Sequence, residues 1–260
     1  PFLELESEAG LRGITVWHPE QDVAAPVPYP WSVRALGPRC WLQDVTLGNS
    51  WQGADFWTHP SDGHVIRYLA GACLRRGLWV SKSDAAGWVE DVQFNPHYAH
   101  RLHASLPRPA TKADFGKVID FQREHLDAMV FGRCAEEHIF ATFLYAAYDG
   151  LAFRDDGGGA NARVLIHGTD TASRALVLEA AGERGLLFIN AQLVPLGNWV
   201  QSAILAEPGF NGKARLFNSQ VWAGPSTAVL RGGAVLLQQM NTLSGPIEIG
   251  GGSVDMQNIT

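Results

Sequence analysis

One short pattern returns along the whole chain and limits the possible folds more than any other feature. An apolar residue is followed by a polar one, then by alternation that ends near Asn or Gly. It reads Leu11-Arg12-Gly13-Ile14-Thr15-Val16, Leu42-Gln43-Asp44-Val45-Thr46-Leu47-Gly48-Asn49, Val65-Ile66-Arg67-Tyr68-Leu69 and Val89-Glu90-Asp91-Val92-Gln93-Phe94-Asn95. Later copies are Phe188-Ile189-Asn190-Ala191-Gln192-Leu193, Leu216-Phe217-Asn218-Ser219-Gln220-Val221 and Val254-Asp255-Met256-Gln257-Asn258-Ile259. The spacing is roughly 20–28 residues, or about twice that where a copy is degenerate, as in solenoids.

Between copies lies a second strand signal, usually begun by Gly or a small residue. Examples are Gly53-Ala54-Asp55-Phe56-Trp57, Gly77-Leu78-Trp79-Val80-Ser81, Gly150-Leu151-Ala152-Phe153-Arg154, Ala175-Leu176-Val177-Leu178-Glu179 and Ala228-Val229-Leu230-Arg231. Each period thus holds at least two short strands separated by Gly, Asn or Asp turns. Such a unit cannot bury its apolar face alone and becomes stable by stacking on its neighbours. The expected fold is therefore all-β, a parallel β-helix forming one domain over residues 1–260. An antiparallel sandwich also shows closely spaced short strands. The copies favour the solenoid because they resemble one another in order. Their recurrent Asn also tolerates a left-handed corner and can bond to the next copy.

Two stretches are expected to leave the coil as insertions, residues 18–31 and 104–138. Pro26, Pro28 and Pro30 cannot donate to a ladder. Within the second, residues 115–131 have mixed spacing compatible with one short helix. Both chain ends stop in mid-pattern, so the expectation is a piece of a longer protein lacking one or both end caps.

A net charge of −6 argues against a nucleic-acid footprint. No stretch approaches the roughly 18 apolar residues of a membrane span. Cys40, Cys73 and Cys134 are widely spaced, with no CxxC, and read as three buried thiols rather than a disulfide framework or zinc site. No GxSxG, P-loop or GxGxxG supports an esterase, NTPase or dinucleotide reading. Nine Trp is a high count, and exposed indoles are platforms for sugar rings.

The run Gly10-Leu11-Arg12-Gly13-Ile14-Thr15-Val16-Trp17-His18-Pro19-Glu20-Gln21, with Tyr29-Pro30-Trp31-Ser32-Val33-Arg34, resembles bacterial pectate-lyase-superfamily β-helices. So do Val89-Glu90-Asp91-Val92-Gln93-Phe94-Asn95-Pro96-His97-Tyr98 and Tyr148-Asp149-Gly150-Leu151. The resemblance spans most of the chain through structural motifs. It implies a right-handed parallel β-helix of the pectin-lyase-like kind and a polysaccharide ligand, and it transfers no catalytic motif.

Alternation in the second strand family places Ala54, Leu78, Leu151 and Ala175 inward, with Phe56, Val80, Phe153 and Val177. One outward row then reads Asp55, Trp79, Ala152, Leu176, and the next Trp57, Ser81, Arg154, Leu178. Lys82, Asp84, Asp155, Asp156 and Glu179 lie just beyond at the turn.

Glycoside hydrolysis needs two carboxyl groups. The candidate catalytic residues are Asp55, Asp84, Asp149, Asp155 and Asp156, each also readable as a solvated turn residue. The candidate substrate-binding residues are Trp57, Trp79, Lys82, Arg154, His64 and Tyr98. Asp44 and Asp91 read as residues of the strand face. Glu136-Glu137-His138 lacks a second His at helical spacing, and His97, His100 and His103 read as a loop end more than a metal site. No cofactor is called for, although Asp155-Asp156-Gly157-Gly158-Gly159 leaves Ca²⁺ open.

The leading expectation is a secreted or cell-surface glycoside hydrolase whose partner is a polysaccharide or oligosaccharide, without nucleic acid or membrane; a homo-oligomer is compatible with it. The alternatives are a lyase acting on a uronate polymer, or a non-catalytic glycan-binding, tailspike-like module.

Overall fold

The computed structural model describes residues 1–101, 106, 111–196 and 202–259. It is all-β apart from helices at His97–Arg101 and Phe115–His125, and every strand pairing among the described residues is parallel. The pairings form three in-register ladders, which the chain visits in turn.

The first ladder begins with Gly10–Val16, Trp41–Leu47 and Val65–Gly71 and ends on Ile247–Gln257. Its register lines up Leu42, Ile66, Val89, Ile139, Val164, Phe188, Leu216 and Leu237 in one buried column. The second ladder begins with Leu3–Leu5, Trp31–Ala35, Gln52–Phe56 and Arg76–Val80. It lines up Val33, Ala54, Leu78, Met129, Leu151, Leu176, Ile204 and Ala228. The third ladder is short and carries Gln93, Phe143, Gly168, Gln192, Gln220 and Thr242. Inward columns of all three merge into one continuous apolar core. The three cysteines are buried and free. No helix among the described residues is long and apolar enough to cross a membrane.

Two boundaries and one register differ from the sequence expectation. Trp31 already belongs to a strand, so the first insertion ends before it. The second ladder resumes at Asp127, inside the expected insertion, because Asp127–Phe131 pairs on both sides. The expected helix is present as Phe115–His125, where Val118 packs against Val23, Ala72, Leu74 and Ala99. The third difference is one of register. Leu176 and Leu178, expected outward, align with the inward residues Leu151 and Phe153, while Val177 falls in the outward row beside Ala152. A shift of one residue exchanges the two faces of a strand.

The corner between the first and third ladders repeats one backbone device. Gly13, Asp44, Tyr68, Asp91, Ala141, Ile166, Asn190, Asn218, Gln239 and Asn258 all have positive φ, one per copy of the repeat. Asn fits this left-handed turn, and the Asn218 amide donates to Asn190 Oδ1 at 2.7 Å along the stack. Ile166 holds φ at 57° although its branched Cβ is poorly suited to that region. Its side chain is 51% exposed and adds little burial in return. Ile166→Asn is therefore expected to raise the unfolding free energy by about 1 kcal/mol. Denaturant titration reads this as a higher midpoint; a lower one would show that the contacts of Ile166 outweigh its strain.

Candidate functional site

In-register stacking makes the outer face of the second ladder a set of three parallel columns. The middle one runs Arg34, Asp55, Trp79, Val130, Ala152, Val177. On one side lie Gln52, Arg76, Asp127, Asp149, Arg174 and Ser202. On the other, the residues following Phe56, Val80, Phe131, Phe153, Leu178, Ala206 and Leu230 form the column Trp57, Ser81, Gly132, Arg154, Glu179, Glu207, Arg231.

Ion pairs cross between the flanking columns. Arg154 reaches Asp149 at 2.6 Å, Asp127 at 3.4 Å and its own neighbour Glu179 at 3.6 Å. Arg174 donates to Asp149 at 2.7 Å and lies 3.7 Å from Glu207, which also faces Arg231 at 3.6 Å. These guanidinium stems span the middle column, where Val130, Ala152 and Val177 are fully buried. Long Arg stems cover apolar surface in this way while their charged heads stay near water.

At one end of the face the ions give way to indoles. Trp57 and Trp79, both half-buried, pack on the Val130–Ala152–Val177 cluster with ring centroids 5.3 Å apart. Trp31 meets Trp79 at 6.3 Å, and the Arg76 guanidinium lies 4.5 Å from the Trp79 ring. Gly132 is the small member of its column: a Cβ there would stand 2.4 Å from Ser81 Oγ and 2.7 Å from the Trp57 ring.

Charge is tuned along this face. Burial raises the Glu179 pKa above its ordinary 4.5, Arg154 opposes that, and the nearby Asp149 and Glu207 carboxylates add to it. Burial also raises Asp149, against the pull of Arg174. For Arg154, burial disfavours the charge, yet Asp127, Asp149 and Glu179 hold its pKa above the usual value.

The sequence-derived candidates separate clearly. Asp55 was expected to project outward. It does share a row with Trp79, but it is fully buried. Its Oδ1 accepts the backbone N–H groups of Trp57 at 3.0 Å and Thr58 at 2.9 Å, and its Oδ2 accepts Arg34 Nε–H and the Thr58 hydroxyl, both at 2.7 Å. That fills the acceptor capacity of a carboxylate and makes Asp55 a turn anchor. Asp149 is likewise buried and held by two arginines, so neither carboxylate faces solvent.

Trp57, Trp79 and Arg154 come together on the face. Asp156 accepts the Ser81 hydroxyl at 2.7 Å with Lys82 Nζ 3.9 Å away, and Lys82 donates to the Thr58 carbonyl at 3.2 Å. Asp155 accepts the Gly158 N–H at 2.8 Å and closes an exposed turn. Asp84 is exposed and pairs with Arg133 around the corner, on a strand of the first ladder.

His64 and Tyr98 lie elsewhere. His64 is fully buried between the Ser61 carbonyl at 2.8 Å and Glu137 at 3.1 Å, where no sugar reaches it. Tyr98 donates to Gln93 Oε1 at 2.6 Å beside the third ladder. His97 and His100 pack on Phe115; His103 lies outside the described residues. Among the described residues, no group of three or more His, Cys, Asp or Glu is placed to hold a metal ion. Glu179, expected only at the turn, and Glu207, which carries no expectation from the sequence, both stand on this face. The sign that could have found them is the position directly after the last inward residue, occupied in turn by Arg154, Glu179, Glu207 and Arg231.

No family model, curated protein or solved structure matches this chain. Asp55→Ala, which strands Arg34 and the Thr58 turn, is expected to destabilise the fold by about 3 kcal/mol. Urea unfolding checks this, and a loss below about 0.5 kcal/mol, the level of a neutral surface change, would remove its anchoring role.

Proposed function

We propose that this chain is a right-handed parallel β-helix that binds an extended carbohydrate along the outer face of its second ladder and hydrolyses it. The observation that carries this reading is the adjacent pair Glu179 and Glu207, continuous through Arg154 with the Trp57–Trp79 platform. Glycosidases need one carboxyl that keeps its proton and a second that acts as base or nucleophile. Glu179, its proton affinity raised by burial and by like charges, suits the first role. Glu207, between Arg174 and Arg231, suits the second. Backbones of neighbouring strands lie about 4.8 Å apart, which brings such a pair to the scale of one glycosidic bond. Trp57 offers the part of its indole left in solvent to a sugar ring, while Trp79, inclined at 62° to it and covered by the Arg76 guanidinium, backs that ring from below. Asp127 and Asp149 act one step back, by fixing Arg154 and Arg174 across the face.

A polysaccharide panel followed by product analysis tests the proposal. New reducing ends support hydrolysis. Unsaturated products absorbing in the ultraviolet would select a lyase instead, and binding without turnover a glycan-binding module. Glu179→Gln is expected to lower kcat by at least about 100-fold with folding intact. Because the raised pKa keeps Glu179 protonated to higher pH than an ordinary Glu, activity should fall only as pH rises through that higher value. The alkaline limb of the wild-type profile should therefore lie above pH 4.5 and be absent from the residual activity of Glu179→Gln.

A further inference from the structure

We infer that the outer face of the first ladder carries a separate binding site for an acidic oligosaccharide. Register places Trp88, His138, Arg163, Leu187 and Arg215 in one outward column. Trp88 is 46% exposed and stacks on His138 with ring centroids 4.3 Å apart at 15°, giving a flat, wet aromatic surface. One strand further on, three guanidiniums gather around a concavity of about 150 Å³ bordered by Glu136, Asn161, Arg163, Arg184 and Arg215.

Arg163 donates to Glu136 at 2.8 Å, and Arg184 stands 3.6 Å from the same carboxylate. The Arg184 guanidinium also donates to the Ala135 carbonyl, and its backbone N–H to Asn161 Oδ1 at 2.8 Å, so its position is set in advance. Glu137 lies deeper and is engaged from behind by His64. Around the concavity three guanidiniums thus stand against Glu136 and the more deeply set Glu137, which is itself paired with His64. In a chain of net charge −6, this is a local positive field open to solvent.

Guanidinium forks take carboxylate and sulfate groups in bidentate fashion, and indole faces take sugar rings. Trp88 and Arg163 are two strand spacings apart, roughly 10 Å, so a ligand touching both is longer than one ring. A sugar chain bearing carboxylates or sulfates meets all of these demands. The site is independent of the hydrolase reading, since it lies on another ladder and uses none of its residues.

Isothermal titration of the full chain with a hyaluronan hexasaccharide, a carrageenan hexasaccharide and cellohexaose tests the inference and separates carboxylate from sulfate. At least one acidic ligand should bind, with affinity that falls as salt approaches about 1 M. The Arg163→Gln/Arg215→Gln and Trp88→Ala variants, with folding confirmed by unchanged unfolding midpoints, should each bind it at least roughly tenfold more weakly. Glu179→Gln should bind it like the wild type, so this result and the loss of hydrolysis are separable. Absence of acidic-sugar binding, equal binding by the arginine double variant, or preference for a single-stranded RNA over the acidic sugars would overturn it.

Discussion

Hydrogen bonding between successive parallel strands, in register apart from local irregularities such as those at Cys134–Glu136 and Ala160–Ala162, turns a position in the repeat into a place in a column. Leu42, Ile66, Val89, Ile139, Val164, Phe188, Leu216 and Leu237 are far apart in the chain yet occupy one line of the core. The same rule acts on the outside, where it aligns charges that sequence distance would keep apart. A one-residue slip of a whole strand would exchange core for surface along its length. The left-handed residue at the corner guards against this, because it recurs at the same place in every copy.

On the outer face of the second ladder, alignment creates an electrostatic problem as well as a site. Asp127 and Asp149 are register neighbours, and so are the positions of Glu179 and Glu207. Like charges in adjacent strands repel. The fold answers with Arg154 and Arg174, which cross from one column to the other and each meet carboxylates of both. The crossing covers Val130, Ala152 and Val177 and restricts access to Asp149, leaving Glu179 and Glu207 at the margin with part of their side chains in solvent.

Much of this was legible in the sequence. The repeat spacing and the alternation of Ala54, Phe56, Leu78 and Val80 carried the parallel strands and their inward residues, and Asn190 and Asn218 marked the corner. The register of Ala175-Leu176-Val177-Leu178 was not legible, for a physical reason. The arginines bury the outer side of that strand, so both faces are apolar and alternation, the signal used to assign faces, is missing. That slip put Leu178 where Glu179 belongs. The burial of Asp55 was hidden for a related reason: its charge partner Arg34 comes from the preceding strand of the ladder, not from local sequence.

Gly132 touches no proposed ligand, yet the space above it is where Ser81 and the Trp57 indole meet. The tilt of that ring is therefore written at a place with no side chain at all. Even alanine there would force a methyl into the indole edge and tip the platform away from the strand line. A position that a survey of chemical groups passes over in this way controls the angle at which a flat guest can settle.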